Sequence, residues 1–242
     1  MYEQFYKLNV KPFALNPDPK FFFGSRGNNE AMSYLRYGQQ QGEGIVVITG
    51  DMGTGKTLLA RNLLVELAKE NVVAAHLGAA QLDPDEMLHM VAASFGIPHE
   101  GKDKAALLRD LENFFTRKAR ERRRLLLIVD NAHGLSTRSL EELRMLSNFE
   151  LEGRILLQTY LIGQPALRGT LQSPGMEQLR QRVIAAYHLN PLGIDEIRGY
   201  IEHRLRLAGW QGIPRLHESS FAAIHAITGG VPRRINQLCE RL

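Results

Sequence analysis

Apolar positions along the chain fall into runs of two kinds. Gly44 to Thr49 is short, apolar and β-branched, which predicts a strand buried in a parallel sheet. Val72 to Leu77, Leu125 to Val129, Arg154 to Ile162 and Val183 to Leu189 repeat that pattern. Before and between them the apolar spacing is helical: Asn29 to Gln41 with an Asn cap, Leu58 to Glu70, Pro84 to Phe95, Lys104 to Arg122 and Arg138 to Phe149. Strands alternating with helices predict an α/β fold, a parallel sheet covered by helices on both faces. Residues 1–28 look irregular, because Pro12, Pro17 and Pro19 fix φ and remove donors. After Pro191 the strand runs stop, and Ile194 to Ala208, Glu218 to Thr228 and Arg233 to Leu242 read as helices. The predicted organisation is an N-terminal segment (1–28), an α/β core (29–191) and a small helical lid (192–242), with a boundary near Pro191–Gly193. The helical pattern is still running at Leu242, as in a truncated chain.

Composition narrows this little. A chain of 242 residues can build one large domain, or a core with a small satellite. The net charge of +4 is a mild basic bias, common in proteins that bind anionic nucleotides and no nucleic-acid signature by itself. Cys239 is alone, so no internal disulfide can form, which fits a reducing cytoplasm. Its place beside Leu238 in a helical pattern reads as ordinary packing. No apolar run is long enough for a membrane-spanning helix, and residues 1–12 lack a signal-peptide layout. There are no internal repeats and no low-complexity tracts.

The chemistry concentrates after the first strand. Gly50-Asp51-Met52-Gly53-Thr54-Gly55-Lys56-Thr57 fits G-x-x-x-x-G-K-S/T without mismatch, between an apolar strand and a helix opening at Leu58. Glycines let the backbone curl so that successive N–H groups face phosphate oxygens, and the next helix adds its positive end. Lys56 is placed to reach the β- and γ-phosphates of ATP, and the Thr57 hydroxyl to ligate Mg²⁺. The third strand, Leu125 to Val129, runs into Asp130, the acid expected to hold the Mg²⁺ shell at a strand's C-terminal end. Many ATPases of this layout place Glu next, to polarise the attacking water; here stands Asn131. An amide orients a water but accepts no proton at neutral pH. His133 is a candidate substitute base, or simply a polar residue at a helix start.

The phosphate loop Gly50 to Thr57 (Walker A), the strand Leu125 to Asp130 (Walker B), Leu179-Arg180-Gln181-Arg182-Val183 and Gly229-Gly230-Val231-Pro232-Arg233-Arg234-Ile235-Asn236 occur in this order. The set resembles the AAA+ ATPases of the ExeA/GspA secretion type. Met1 to Tyr6, the stretch Pro12-Phe13 through Pro19, Phe21-Phe22-Phe23, Leu143 to Phe149 and Leu161-Ile162-Gly163-Gln164-Pro165 match that family too, so the resemblance covers essentially the whole chain. The nearest subgroup is the secretion ATPase found beside exosortase (PEP-CTERM, XrtA-type) loci. The family has Asp-Glu-Ala-Gln where this chain has Asp130-Asn131-Ala132-His133, a departure that implies slow hydrolysis.

The resemblance implies a P-loop AAA+ fold, with strand order 5-1-4-3-2 and a helical lid. It implies Mg·ATP binding, with hydrolysis coupled to assembly or conformational change in an exosortase-linked export or exopolysaccharide system. It gives Gln164 the sensor 1 position, although a turn polar before Pro165 looks the same. Arg180 and Arg182 match the arginine finger offered to a neighbouring subunit; two arginines before a strand are also ordinary surface charge. Arg233 matches sensor 2, with Pro232 stiffening its helix start. Pro12 and Phe13 match an adenine contact, or else pack in a core. The implied partners are further copies in a ring or part-ring, such as a hexamer, and a secretion-apparatus or inner-membrane protein; DNA is not the expected partner. The implied location is cytoplasmic or peripheral at the inner membrane.

Two other readings stay open. Asn131 favours an ATP-binding switch with little hydrolysis. A DNA-associated transposition-helper-like regulator shares the motif layout, supported only by the basic run Arg117 to Arg124, which also reads as a solvated helix end. Phe21 to Phe23 is a candidate base-stacking platform or a packed segment. No residue cluster has structural zinc spacing.

Overall fold

A computed structural model describes residues 2–78 and 83–241. The chain divides into two compact units: residues 31–50 with 63–188, and residues 1–30, 51–62 and 189–242.

The first unit holds a five-stranded parallel sheet: β1 (Ile45–Gly50), β2 (Val72–Gly78), β3 (Arg124–Asp130), β4 (Leu157–Gly163) and β5 (Val183–Leu189). Its order is β2-β3-β4-β1-β5, the order the family resemblance implied. Burial follows position in the sheet. β1 and β4 are buried at every residue and β3 at all but Arg124, whereas the edge strands β2 and β5 mix buried, partly exposed and exposed positions. Central strands covered on both faces need continuous apolar runs, which is why those runs stand out in the sequence. Register sets what ends beside what: Asp130 pairs with Gly78 of β2 on one side and Ile162 of β4 on the other.

The core of this unit gathers Leu127, Val129, Leu161, Met87, Leu111 and Phe115 among others, joining the sheet to the helices Pro84–Ser94, Lys104–Arg120 and Thr137–Leu146. Those helices begin where the chain supplies a cap. The Asp103 carboxylate accepts from the Ala106 N–H at 2.7 Å, and the Ser136 hydroxyl from the Ser139 N–H at 3.0 Å. Three basic residues, Arg117, Lys118 and Arg120, close the helix Lys104–Arg120, where cations complement the carbonyl end.

Several boundaries differ from the expected ones. The fourth strand starts at Leu157 and not Arg154, because Arg154–Ile155 pairs backwards with Glu150–Leu151. Glu152 (φ 54°) and Gly153 (φ 75°) make that hairpin turn, both in the left-handed region that a tight two-residue turn requires. The first long helix starts at Arg26, three residues ahead of Asn29, and its cap is Ser25, whose hydroxyl accepts from the Asn28 N–H at 3.1 Å. Two short helices not predicted, Ala166–Gln172 and Glu177–Gln181, lie between β4 and β5.

The second unit is helical: Ile197–Leu207, Glu218–Thr228 and Pro232–Cys239, around a core of Phe13, Leu192, Ile197, Tyr200, Ile201 and Ile235 among others. The last helix ends at Cys239 rather than Leu242, which lies outside the described residues. Burial pushes the Cys239 thiol up to about 11. The irregular N-terminal stretch belongs to this unit. Arg204, buried, donates from Nε to the Pro12 carbonyl at 2.5 Å and from Nη2 to the Ala14 carbonyl at 3.2 Å, while its guanidinium lies 4.8 Å from the Phe21 ring centroid. That pairing satisfies carbonyls that prolines and turns leave without helix partners. Among the described residues no helix is long and apolar enough to cross a membrane.

Candidate phosphate loop and strand-end carboxylate

β1 ends at Gly50 and the helix Lys56–Leu67 begins six residues later. The intervening loop curls through two left-handed glycines, Gly53 at φ 88° and Gly55 at φ 103°. Lys56 is buried at the first helical position. Its ammonium donates to the Asp51 carbonyl at 2.8 Å, and the Thr54 hydroxyl donates to the same carbonyl at 2.9 Å. One carbonyl therefore anchors the charge inside the curve of the loop. Thr57 is half-buried at the second helical position, Leu58 follows it half-buried, and Met52 is exposed at the loop tip.

Gly53 also touches the last helix of the same unit. The Arg233 N–H donates to the Gly53 carbonyl at 3.1 Å. A Cβ at Gly53 would stand 2.8 Å from the Arg233 Cβ and 3.1 Å from Val231 Cγ1. Pro232 opens that helix, so Arg233 lies in its first turn, where an N–H has no intrahelical acceptor and the loop supplies one. The Arg233 side chain is exposed and makes no hydrogen bond or ion pair among the described residues. Loop and proposed sensor 2 residue are thus brought together by backbone contact, with the guanidinium left available.

In the sheet unit, Asp130 ends β3 with 3% exposure. Its Oδ1 accepts from the Asn131 N–H at 2.9 Å. Asn131 is exposed and left-handed, at φ 60° and ψ 30°, and leads into the 3-10 turn Ala132–Gly134. Asn is one of the few residues with a side chain that take this conformation readily. The turn folds against β4: a Cβ at Gly163 would come within 2.9 Å of the His133 N. The His133 Nδ1 is buried without a hydrogen-bond partner. Gln164, half-buried, follows β4 directly, two residues past the register partner of Asp130. Asp130, Asn131 and Gln164 therefore collect at the carboxyl ends of neighbouring strands, the usual place for ligand-handling groups in open α/β sheets.

The two candidate finger arginines are engaged within their own unit. Arg180 Nη1 donates to the carbonyls of Leu171 (2.8 Å) and Ser173 (3.3 Å), at the end of the helix Ala166–Gln172. Arg182 donates to the Ser147 carbonyl at 2.8 Å and to Asn148 Oδ1 at 2.5 Å, past the end of the helix Thr137–Leu146. Both neutralise carbonyls at helix C-termini. Pro12 and Phe13 are buried, and the Phe13 ring is part of the helical core.

One residue escaped sequence reasoning. His76 of β2 has its Nε2 buried without a hydrogen-bond partner, 3.9 Å from Asp130 Oδ2. A lone histidine in an apolar strand carries no motif; only the register reveals its neighbour.

The residues present suit a magnesium nucleotide. In the loop a glycine curl precedes a helix start, one lysine supplies a point charge and the Thr57 hydroxyl offers hard oxygen; in the sheet unit the Asp130 carboxylate offers hard oxygen of its own. Among the described residues no group of three or more His, Cys, Asp or Glu could hold a metal ion.

Known proteins resemble this chain at three levels. The chain is 37% identical, over all 242 of its residues, to General secretion pathway protein A of Aeromonas hydrophila, and spans 44% of that protein's length. In three dimensions it resembles the Aeropyrum pernix ORC2 protein in its ADPNP–ADP complexes (TM-score 0.67, 18% identity, 96% of this chain and 65% of that one). It also resembles Cdc6p of Pyrobaculum aerophilum (0.70, 16% identity, 93% and 64%). A Thermotoga maritima RuvB variant is more distant (0.57, 19% identity, 91% and 62%). At these identities the likeness is one of fold, the P-loop AAA+ fold. The family model described as AAA domain matches residues 39–171, more than half of the sequence and inclusive of both motifs, and so the chain belongs to the AAA domain family.

Proposed function

We propose that this protein binds Mg·ATP and couples binding and slow hydrolysis to assembly or conformational change, in a secretion system. The observation that carries the reading is the loop itself: Gly53 and Gly55 in the left-handed region, with Lys56 drawn onto the Asp51 carbonyl. In our reading Lys56 swings from that carbonyl to the β- and γ-phosphates, and loop N–H groups from Asp51 to Leu58 face the phosphate chain. Thr57 and Asp130 hold the magnesium ion, which when bound neutralises phosphate charge. Arg233 reaches from the lid helix to the γ-phosphate, and Gln164 orients the attacking water. Finger duty for Arg180 or Arg182 would require release of the carbonyls they now hold.

The secretion assignment is supported by the Aeromonas relative, of which this chain spans less than half. The link to exosortase loci and exopolysaccharide export rests on the sequence resemblance. The same reading makes the protein a homo-oligomer, a ring or part-ring, at the cytoplasmic side of the inner membrane with a secretion-apparatus partner.

Titration calorimetry with Mg·ATP tests the site. Lys56→Ala should lose most affinity and all turnover, because it removes the loop's positive charge. Wild-type affinity in that variant would sink the assignment. A second reading, a nucleotide switch with negligible turnover, is favoured by Asn131, which offers no carboxylate beside Asp130. Steady-state phosphate release separates the two.

A further inference from the structure

We propose that the basic corner Arg117 to Arg124 docks this protein on an anionic phospholipid bilayer, with Arg120, Arg122 and Arg123 as the groups that meet lipid phosphates. The proposal rests on the reading that places the protein at the inner membrane, and gives that location a surface. Residues 117–124 carry six cations and one acid, Glu121, whose carboxylate accepts from Lys118 at 2.7 Å. Arg117 and Lys118 lie over the Phe114 ring, 5.4 and 5.8 Å from its centroid, and Arg124 donates to the Gln39 carbonyl. The side chains of Arg120, Arg122 and Arg123 make no hydrogen bond or ion pair among the described residues. The backbone beneath them is pinned. The helix Lys104–Arg120 closes with the Arg122 N–H on the Ala119 carbonyl and the Arg123 N–H on the Lys118 carbonyl, both at 2.9 Å. That double closure puts residue 122 in the left-handed region, at φ 58°, where glycine is the usual occupant. An arginine there costs stability that a glycine would not. Asn71 Nδ2 then donates to the Arg122 carbonyl at 2.8 Å, and the Arg124 N–H to the Asn71 carbonyl at 3.2 Å. The loop that pins the corner, Lys69-Glu70-Asn71, is neutral overall. Three unengaged guanidiniums thus stand on a fixed backbone, one of them against conformational preference.

Guanidinium forks suit phosphate oxygens, which a duplex and a bilayer both offer. The size of the corner favours the bilayer. Arg120 to Arg124 spans four Cα steps, at most about 14 Å. A duplex holds its phosphates fixed in space, and its binders typically engage on the order of 6–10 of them. A corner this small reaches few. In a bilayer the anionic lipids diffuse to the charge, so each cation near the surface contributes. The placement also leaves the strand-end groups open. Arg124 opens β3 and Asp130 ends it, about 20 Å away along the strand.

The test is co-sedimentation of the full chain with vesicles of one part phosphatidylglycerol to two parts phosphatidylcholine, against pure phosphatidylcholine. Wild type should sediment with the mixed vesicles alone. Salt near 1 M should release it, because exposed charges are then screened within about 3 Å. Each arginine should carry about fivefold in partition. Arg122→Gly is the sharpest variant. It should lower partition about fivefold while its urea midpoint holds or rises, since glycine relieves the turn. Arg120→Gln combined with Arg123→Gln should lower partition about 25-fold. Mg·ATP affinity by calorimetry should be unchanged in all of them. Wild type that ignores the mixed vesicles overturns the proposal. So does partition within about twofold of wild type in the Arg120→Gln, Arg123→Gln protein; the membrane location then stands on another surface and only the role of the corner fails. Tighter retention on duplex DNA than on vesicles at equal phosphate, lost in the same variants, overturns it as well and makes the corner a nucleic-acid surface. Loss of Mg·ATP binding in wild type would sink the nucleotide reading by itself and leave the vesicle result to decide this one.

Discussion

Asn131→Glu is the substitution that most exposes this reading, because two effects of known size oppose each other at one residue. A carboxylate beside Asp130 would restore a base, worth about 10²–10⁴ in rate. Yet residue 131 is left-handed, at φ 60°. A residue other than Gly, Asn or Asp loses about 1–2 kcal/mol there. At about 1.4 kcal/mol per tenfold, that lowers the population of the observed turn roughly 5- to 30-fold. The net expectation is an acceleration between a few-fold and roughly 10³-fold, together with a loss of about 1–2 kcal/mol in stability. Phosphate release at saturating Mg·ATP measures the first and urea unfolding the second. Asn131→Gly separates them: glycine takes this conformation freely and supplies no base, so stability should hold while turnover stays slow. Wild-type turnover near the common enzyme median of about 10 s⁻¹ would refute the missing-base argument and turn attention to His133. A Glu variant with unchanged stability would refute the strain argument.

The other predictions concern the loop and the arginines. Gly53→Ala must place a methyl group 2.8 Å from the Arg233 Cβ at a φ of 88°. It should cost roughly 2–4 kcal/mol by urea unfolding, from strain and overpacking together, and a loss below about 0.5 kcal/mol would contradict the contact between loop and lid helix. Arg182→Ala should lower stability by about 1–3 kcal/mol, since it strips a charged donor from the Ser147 carbonyl. A hundredfold loss of turnover at high protein concentration and unchanged stability would instead make Arg182 a finger acting on a neighbour.

What the sequence made legible follows from how strongly each position is constrained. β1, β3 and β4 are covered on both faces, so nearly every residue is apolar and the runs are unmistakable. The phosphate loop is legible for a similar reason: only glycine takes the φ of Gly53 and Gly55 without strain. Short elements were not legible. The helices Ala166–Gln172 and Glu177–Gln181 span too few residues to establish a 3.6-residue period. The Glu150–Leu151 pairing hid because Arg154–Ile155 reads as the start of β4; the Glu-Gly pair at 152–153 was the overlooked turn signal. Ser25 was passed over as a cap because apolar periodicity begins only at Ala31, several residues inside the helix it opens. His76 lay beyond any motif, since its meaning depends on strand pairing.

The left-handed turn after Asp130 gives the departure at Asn131 a physical sense that residue identity alone does not. Three features fix that turn: the positive φ of Asn131, its N–H on Asp130 Oδ1, and the missing side chain of Gly163, which admits the backbone of His133. Together they orient the carboxylate from its own chain, before any cation or neighbour is present. A residue that favours this turn strengthens the orientation of Asp130, and an amide there withholds a base from the water. On the proposed chemistry, one residue thus serves binding at the expense of hydrolysis. It follows that substitutions at 131 should split the two functions. Those tolerating positive φ, Gly and Asp, should preserve cation affinity whatever they do to the rate, while β-branched residues such as Val should weaken cation affinity with no carboxylate to gain.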